Sequence, residues 1–444
     1  MLKRLTFLGL AVVALAGCAD ENPVGIGDLV PDDAVRTYEV ILDASDFLTA
    51  ETVIEGFARP SAHDYTIVAE DAGGVLDAHA LVRFRPWTVA YVDSAGASRS
   101  DPEPTLISGQ IVARLDSALA RPTEAVTLAL YRTAESWDAN TASWQFRVDT
   151  TGVREPWTDP GGTPGPLVST ATLEPGADSL VFAVDSATLA AWADTTDFSR
   201  GALITSQTPG ARVRLDDFLL RFEARPSARP DTVVTDSATV LASTFVYDPP
   251  AEAEGRLLAG GPRGWRTYVT LLERLDTVQV TVPCDSDPAG CGYRLGDVAI
   301  NYAALQLQPV APPAGYAPAD SLIIYVRSVM GGGEIPLPRA PVSNSVVGSA
   351  TIAPDVLAGG DVDPVDLPIT QAVRILTQDG SSDGEAGVRN PSIALFGGLA
   401  AGATGTDVDE GANFGIAAFG ASTAGAAAPR LRLIFSVVNE GQVR

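Results

Sequence analysis

Residues 127–146 read TLALYRTAESWDANTASWQF, and this stretch governs how the rest of the chain is interpreted. It starts as an apolar run with strand character and ends in two tryptophans seven positions apart, Trp137 and Trp144. Acids and turn formers separate the two rings, and Asp138 and Asn140 supply side-chain chemistry that favours a turn. The stretch therefore predicts a β-strand followed by a turning loop that carries two indole rings.

Short segments of the same strand type recur along the chain, rich in Val, Leu, Ile, Phe and Tyr and bounded by Gly, Pro, Asp and Ser. Evenly spaced short strands with turn signals between them are typical of an all-β sandwich or barrel. Several segments alternate apolar and polar residues, as in Val213-Arg214-Leu215, which suits a sheet with one buried and one hydrated face. We therefore expect an all-β fold.

The second half of the chain repeats the order of the first. VTLALYRTAE (126–135) is matched by DSLIIYVRSV (320–329), and VSTATLEP (168–175) is matched by VGSATIAP (347–354). The closing stretch RGALITSQTPGARVRLDDFLLRF is likewise matched by FGIAAFGASTAGAAAPRLRLIF. One order of strands found twice indicates tandem homologous domains.

Each half also carries one short helical candidate before its last strands, SATLAAWAD (186–194) and LPITQAVRIL (367–376). In the second candidate, Ile369 and Val373 fall on one helical face, and Pro368 suits a position in the first turn. The two candidates occupy the same place in the order of segments, which again favours two copies of one plan.

The segment ARPSARPDTVVTDS lies between the halves and has the Pro-rich, polar composition of a linker. The chain of 444 residues is long enough for two or three domains. We therefore predict two tandem jelly-roll-like β-sandwich domains, at residues 37–225 and 239–444, joined by a linker at 226–238.

The N-terminus MLKRLTFLGLAVVALAGC has a basic start and an apolar run too short to span a bilayer as a permanent helix. It predicts a secretory signal peptide at residues 1–17. LAGC resembles the lipobox of bacterial lipoproteins, which implies that Cys18 is lipidated and that residues 18–36 form a lipid-anchored tether. Ala19 rather than Asp follows the cysteine, which by resemblance to Gram-negative sorting rules favours the outer membrane; the expected location is the outer membrane or the cell surface. An ordinary signal peptide that leaves a spare cysteine is the alternative.

The chain is strongly acidic, with 30 Lys and Arg against 55 Asp and Glu and a formal net charge of −25. Such a surface repels phosphate backbones, which argues against nucleic-acid binding. It also argues against electrostatic contact with anionic lipid heads, so membrane attachment is expected through the N-terminal lipid.

The two remaining cysteines, Cys284 and Cys291, lie in CDSDPAGCGY. In an exported protein we expect them to form one disulfide that closes a small loop. A metal site is the alternative, but it needs thiolates at shorter spacing and further ligands.

Segments of the first half resemble the DNRLRE domain, a jelly-roll β-sandwich similar to carbohydrate-binding modules of exported bacterial and archaeal proteins. The resemblance rests on ALVRFRP, ISGQIVARLD, VTLALYRTAESWDANTASW and PGARVRLDDFLLRF. The second half matches in outline and lacks the tryptophan pair. The family's namesake hexapeptide is absent, and Ser143-Trp144 stands where the family usually has Thr-Trp. The resemblance implies a fold and an association with polysaccharide binding, and it transfers no binding residue.

The tryptophans have two possible roles. Trp137, Trp144 and Trp157 are the candidate ligand-binding residues, because exposed indoles stack on sugar rings while nearby acids and amides bond the hydroxyls. The same rings can instead fasten a long loop onto the sandwich edge, which we favour because burial is the commoner fate of paired tryptophans. Of two further aromatic candidates, Trp87 and Trp157, we expect Trp157 to be the more exposed because Pro and Gly surround it.

No catalytic site can be read from the sequence. Nucleophilic hydrolysis usually needs a histidine beside the nucleophile, and the chain has only His63 and His79, with no G-x-S-x-G elbow. There is no H-E-x-x-H and no phosphate-binding loop pattern. We expect both histidines to be exposed or satisfied polar residues. Glycoside hydrolysis needs only two carboxylates about 5 to 10 Å apart and stays open.

Calcium is the one cofactor that the sequence makes conceivable. The acid-rich stretches DSDPAG, DVDPVD and DGSSDGE gather oxygen ligands in loops, as a hard cation requires. The candidate ligands are Asp285, Asp287, Asp361 and Asp363. None of the stretches completes the EF-hand spacing, and simple solvated loops are the alternative.

The sequence thus predicts an exported lipoprotein with a non-catalytic binding role, and polysaccharide is the expected ligand. A structural or assembly protein of the cell envelope that contacts other proteins is the first alternative. A polysaccharide-degrading enzyme is the second.

Overall fold

The chain is almost entirely β-structure, as predicted. The computed structural model describes residues 35–63, 65–115, 122–194, 196, 201–249, 255–284, 287–331, 335–377, 390–399, 410 and 414–438. The predicted signal peptide (1–17), Cys18 and most of the predicted tether (18–36) lie outside these residues. In the described part, strands dominate over short helices, which confirms the all-β prediction.

The strands are short, and most alternate buried and exposed side chains. The first strands in chain order are β1 (Val35–Asp43), β2 (Leu48–Ile54), β3 (Thr66–Ala72), β4 (Leu76–Phe84), β5 (Val89–Val92), β6 (Ser98–Asp101), β7 (Thr105–Leu115), β8 (Val126–Thr133), β9 (Phe146–Thr150), β10 (Val153–Pro156), β11 (Pro164–Leu173), β12 (Ser179–Asp185), β13 (Ala202–Ser206), β14 (Arg212–Arg225) and β15 (Val234–Tyr247). The strands that follow are β16 (Arg256–Gly260), β17 (Arg266–Leu271), β18 (Gln279–Cys284), β19 (Asp287–Arg294), β20 (Ala299–Leu307), β21 (Leu322–Val329), β22 (Val342–Ile352), β23 (Val365–Pro368), β24 (Ser392–Leu399), β25 (Ile416–Gly420) and β26 (Arg430–Val438).

The α-helices of the described residues are α1 (Ala44–Phe47), α2 (Ser186–Ala193), α3 (Pro354–Leu357) and α4 (Thr370–Thr377). Helix α2 begins after Asp185, whose side chain accepts a hydrogen bond of 2.7 Å from the Thr188 amide and so caps the first turn. Helix α2 falls within the first predicted helical segment, and α4 overlaps the second and ends one residue beyond it, which confirms both. Pro368 ends β23 and does not enter α4, so its predicted place in the first turn is wrong.

Residues 66–247 form the first unit. Its nine-stranded sheet runs β11-β8-β13-β4-β15-β14-β7-β12, with β3 paired to β14 and β4. The sheet folds over a core that includes Val82, Leu128 and Phe182. Strand β15 joins the two faces, because its first part pairs with β14 and its second part with β4.

The second unit contains two main sheets, β1-β26-β20-β23 and β2-β17-β24-β21-β22, and the small pair β16-β25. The core between the main sheets includes Leu305, Ile324 and Phe435. Leu42 from β1 and Phe47 from α1 are buried in this core as well. The N-terminal strands therefore complete the C-terminal half of the molecule.

This pairing corrects the predicted domain boundaries. The first domain was expected at 37–225, yet residues 37–54 pair with the second unit. The linker was expected at 226–238 and the second domain from 239 onward, yet β15 starts within that linker and belongs to the first unit. Composition marks where a strand begins and ends, but the identity of its partner depends on contacts distant in sequence.

The order of pairing is the same in the two units. The row β15-β4-β13-β8-β11 of the first corresponds to β2-β17-β24-β21-β22 of the second, and β15-β14-β7-β12 corresponds to β1-β26-β20-β23. Strand β24 thus holds the place of β13, so the predicted alignment of ALITSQ (202–207) with the segment that forms β25 is wrong. Homology between the two halves stays a prediction.

An aromatic cluster joins the units, and we call it the junction cluster. Its rings include Tyr65, Phe245, Tyr247, Tyr316 and Phe414. The Tyr316 and Phe414 rings stack with centroids 5.2 Å apart, and those of Tyr247 and Phe414 meet edge to face at 5.8 Å. Burial raises the pKa of the Tyr247 and Tyr316 hydroxyls, so both stay neutral at ordinary pH.

Candidate functional site

Residues 134–163, which we call the tryptophan loop, cover the outer face of the first unit's sheet. Inward-facing Ala80 and Val82 of β4 lie in the core, so the alternate residues of that strand face outward under the loop. There Leu81 and Leu203 pack against the loop's rings in a small apolar cluster. The loop is therefore anchored on a sheet face that would otherwise leave apolar side chains exposed.

Two of the three candidate tryptophans are buried. The Trp137 ring is 4% exposed, with the Arg83 guanidinium 4.5 Å from its centre. Arg83 also donates a hydrogen bond of 3.0 Å to the Trp137 carbonyl. Trp157 is 5% exposed, and its indole nitrogen donates 2.9 Å to the carbonyl of Ser143. Neither ring presents a face to a ligand.

The expectation that Trp157 is more exposed than Trp87 is wrong. Trp87 is half-buried, with its ring 5.2 Å from that of Phe222. The Pro and Gly residues around Trp157 influence the course of the backbone but do not determine side-chain exposure. Here the backbone turns so that the indole lies beneath the loop.

Hydrogen bonds within the tryptophan loop hold its shape. The Asp138 carboxylate accepts from the backbone N–H of Asn140 and from the Thr141 hydroxyl, both at 3.0 Å, which confirms the predicted turn chemistry. Glu135 accepts from the Thr158 hydroxyl at 3.0 Å and from Thr163. Burial acts to raise the pKa of the Glu135 carboxyl, but these hydrogen bonds outweigh it and the pKa lies below its usual range.

Trp144 is the half-buried member of the three candidates, and its ring is fixed from below. The His79 ring lies 5.1 Å from it at 45°, and His79 Nδ1 is 2.7 Å from the Gly161 carbonyl oxygen. Gly161 has φ +87°, and a Cβ there would lie 2.6 Å from the Trp144 ring. Burial lowers the pKa of the His79 imidazole, so the ring beneath Trp144 is neutral at pH 7.

A cleft of about 400 Å³ opens beside Trp144, between the tryptophan loop and the junction of the two units. Its polar and aromatic lining includes Arg59, Asn140, Trp144, Gln145, Phe146, Asp149, Tyr247 and Arg263. Because these residues come from four segments of the chain, which belong to both units, the cleft exists only when both units are assembled.

Polar contacts brace the walls of the cleft. The Ser61 hydroxyl donates 3.3 Å to the Asn140 side chain, which joins the segment after β2 to the tryptophan loop. Arg263 pairs with Glu55 at 2.9 Å. Arg59, Asn140 and Gln145 are exposed, so their guanidinium and amide groups face solvent at the rim.

Sequence reasoning identified Trp144 but missed Arg59, Gln145, Tyr247 and Arg263. Gln145 directly follows Trp144, but nothing in the sequence sets it apart. Arg59, Tyr247 and Arg263 meet Trp144 only through the pairing of β2 and β15 with distant strands. The turn around Asn140 was the nearest available signal.

The remaining site predictions fall in other places. Cys284 and Cys291 form a disulfide, with sulfurs 2.06 Å apart, across the β18–β19 hairpin. Asp361 and Asp363 are exposed. Asp285 and the Asp287 side chain lie outside the described residues. Within the described part of the chain, no group of three or more His, Cys, Asp or Glu side chains is arranged to hold a metal.

His63 and His79 lie apart, and each is enclosed by aromatic neighbours. His63 is 8% exposed and stacks on Tyr65 at 5.1 Å, and its Nε2 is 3.3 Å from the Pro262 carbonyl oxygen. His79 is bonded to Gly161, as above. His79 matches the expectation of a satisfied polar residue, and His63 is buried with its Nε2 near a carbonyl oxygen.

Among the helices in the described ranges, none is long and apolar enough to cross a membrane. No family model matches the chain, and no curated protein matches it. Among solved structures, a chain from the structure of infectious bursal disease virus Gx strain aligns over 92% of this chain and 83% of its own length, with 11% identity and a TM-score of 0.09. A likeness that weak carries no argument about fold or function.

Proposed function

We propose that the protein is an exported, lipid-anchored binding protein that holds a polysaccharide in the cleft beside Trp144 without cleaving it. The main observation behind this proposal is the half-buried Trp144 indole, which His79 and Gly161 hold in place at the wall of a cleft of about 400 Å³. An immobilised aromatic face loses little conformational freedom on binding, which suits recognition of a sugar ring.

The groups around the indole fit the same ligand. Sugar hydroxyls both donate and accept hydrogen bonds, and the amides of Asn140 and Gln145 do the same. The exposed Arg59 guanidinium adds a donor at the rim. An apolar platform with a few polar groups beside it is the usual composition of a small-molecule site.

A non-catalytic role is supported by the acid content of the cleft. Hydrolysis of a glycosidic bond normally uses two carboxylates. Among the described lining residues the cleft has one carboxylate, Asp149, and it already pairs with Arg154 at 3.0 Å. The lining therefore lacks the second acid that an enzyme would need.

We also propose attachment to the outer membrane or cell surface through lipid on Cys18. The basis is the LAGC motif and the basic-apolar leader before it. Mass spectrometry of membrane-extracted protein tests this: a lipid mass on the N-terminal peptide is expected, and Cys18→Ser abolishes both the mass and membrane retention. Unmodified Cys18 in a membrane fraction would contradict it.

A structural or assembly role is the second candidate, and the burial of Trp137 and Trp157 favours it. In that role the tryptophan loop serves to cap the sheet, and the envelope partner is another protein. The two candidates differ in one respect, since only the first requires an accessible Trp144.

The test is binding of the soluble chain to insoluble and soluble glycans, with and without calcium. Trp144→Ala is expected to weaken binding about ten-fold or more, which corresponds to roughly 1.4 kcal/mol. Trp87→Ala is the matched control, because Trp87 is half-buried but lies outside the cleft lining. Equal losses in both variants, or no binding to any glycan by the folded wild type, would reject the proposal and favour the structural role.

A further inference from the structure

The N-terminal strands cover one edge of each main sheet of the second unit, β1 against β26 and β2 against β17. We call these two neighbouring edges the seam. Strand β1 pairs along its whole length with β26, from Val35 opposite Val438 to Asp43 opposite Arg430. After the short helix α1, β2 pairs with β17. One N-terminal segment, residues 35–54, thus closes both sheets of a unit whose other strands lie more than 200 positions later in the chain.

Two side chains of the segment are buried in that unit's core, and others pack half-buried against it: Tyr38, Val40, Ala44, Leu48 and Val53. Leu42 and Phe47 are its two core residues. Polar contacts add to the backbone ladder: Arg432 pairs with Glu39 at 2.8 Å, and the hydroxyls of Thr37 and Ser436 lie 3.0 Å apart. The association therefore resembles the addition of a strand to a preformed edge, where backbone hydrogen bonds give much of the affinity.

The first unit fills the same seam with β15, and a comparison of the two closing segments is informative. Strand β15 lies mid-chain, so it cannot leave without disturbing the connections on both sides. Residues 35–54 have one connection to the rest of the described chain, residues 55–65, which lead into β3. Withdrawal of the N-terminal segment would take Leu42 and Phe47 out of the second unit's core but would remove no strands other than β1 and β2.

The connection that follows β2 is held at both ends. Towards β3, the buried His63 ring stacks on Tyr65, and the Ser61 hydroxyl donates a hydrogen bond to the Asn140 side chain. Gly56 and Ala58 each donate a backbone hydrogen bond to the Arg263 carbonyl, at 2.9 and 3.1 Å. Glu55 pairs with the partly exposed Arg263 side chain. Release of these contacts would free residues 35–54 to reach a neighbouring molecule.

We infer that the seam of the second unit accepts residues 35–54 from a second copy of this chain, which gives a reciprocally exchanged dimer. In such a dimer every pairing of β1 with β26 and of β2 with β17 is rebuilt between molecules, and only the path of the 55–65 connection changes. Exchange of an identical element is a low-cost route to dimers. The balance between the closed monomer and the dimer then depends on protein concentration.

Register-matched cysteines test the exchange. Thr37→Cys and Ser436→Cys are placed in separate full-length chains that also carry Cys18→Ser. The chains are mixed, refolded together from denaturant over a range of concentrations and oxidised. A mixed disulfide in excess of that formed by the control pair below indicates that β1 of one molecule lies against β26 of another, because exposed cysteines also link by random collision. While dimer is the minor species, a ten-fold rise in concentration is expected to raise the dimer-to-monomer ratio about ten-fold by mass action.

Two controls keep the result interpretable. Ser237→Cys and Arg221→Cys, in separate chains, are the equivalent partners on β15 and β14 and are expected to stay unlinked. A single chain with both Thr37→Cys and Ser436→Cys is refolded and oxidised at low concentration, so that the disulfide forms within one molecule and locks β1 in place. This variant is expected to remain monomeric when it is then concentrated.

A second readout does not depend on cysteines. Native mass spectrometry of isotope-labelled and unlabelled wild type, refolded together, is expected to show mixed dimers. A wild type that stays monomeric at every concentration after refolding overturns the inference. So does a locked variant that dimerises as readily as the wild type, because its association could not use the N-terminal strands.

Discussion

The tryptophans of the loop differ in burial, so their truncation is expected to have different costs. Trp137→Ala removes a ring that is 4% exposed and packs under Arg83, and it should lower the free energy of unfolding by about 3–5 kcal/mol. Trp144→Ala removes a half-buried ring and should cost about 1–2 kcal/mol. Urea denaturation of both variants measures the difference, with Trp137→Phe as an intermediate control. Equal losses would mean that the loop does not distinguish the two rings.

His79 should make the tryptophan loop sensitive to acid. Burial holds its folded pKa below the usual value of about 6.5, so the unfolded chain binds the proton more tightly. Stability is then unaffected above about pH 7 and is lost as pH falls below about 6.5.

The measurement for His79 is the urea midpoint between pH 7.5 and 5.5, compared with that of His79→Asn, whose amide retains a donor for Gly161. The variant should show a shallower pH dependence than the wild type. The same slope in both proteins would place the titration elsewhere, and His63→Asn would then identify whether the second histidine accounts for it.

At the level of elements, local pattern predicts what each segment becomes but not which partner it takes. The alternation in β12 places Leu180, Phe182 and Val184 inside and their neighbours outside, and such alternation is visible in the sequence. The segment SATLAAWAD of helix α2 is equally recognisable as a short helical candidate. Nothing local indicates that β1 pairs with β26 or that β24 takes the place of β13, because pairing is selected by contacts between distant segments.

The β18–β19 hairpin should depend on its disulfide for part of its stability. Val280 and Val282 of this hairpin enter the second unit's core, and its Tyr293 ring lies 6.0 Å from that of Tyr38 on β1. Replacing Cys284 and Cys291 together by Ser should cost about 2 kcal/mol, because the unfolded chain loses a small closed loop. Guanidinium denaturation with and without reductant checks this. A wild type whose midpoint ignores the reductant while the disulfide is shown to be open would contradict it.

The candidate site illustrates the same limit at the level of the whole molecule. Trp144 can be found in the sequence because an indole among turn formers is conspicuous. Its neighbours in the cleft cannot, because Arg59 follows a strand of the second unit while Tyr247 ends a strand of the first. The site forms where the two units join, so its residues can be identified only once the strand pairing is known.

The two units should unfold together. A free linker at 226–238 would let them melt separately, but β15 occupies part of that span and the junction cluster lies between the units. A single calorimetric transition is expected, with calorimetric and van't Hoff enthalpies equal. Two resolved peaks in the wild type would contradict this.

Phe414→Ala tests whether the junction cluster provides this coupling. Phe414 is 6% exposed and touches the rings of both Tyr316 and Tyr247, so its loss removes contacts that the two units share. We expect a cost of about 3–5 kcal/mol and two separable transitions. Phe182→Ala is the matched control, because Phe182 is fully buried within the first unit alone. It should lower the melting temperature while the transition stays single, since a destabilised first unit would still unfold with its partner. If both variants keep one transition, the coupling comes from the strands that close the two units, β1 and β2 in the second and β15 in the first, and not from the junction cluster.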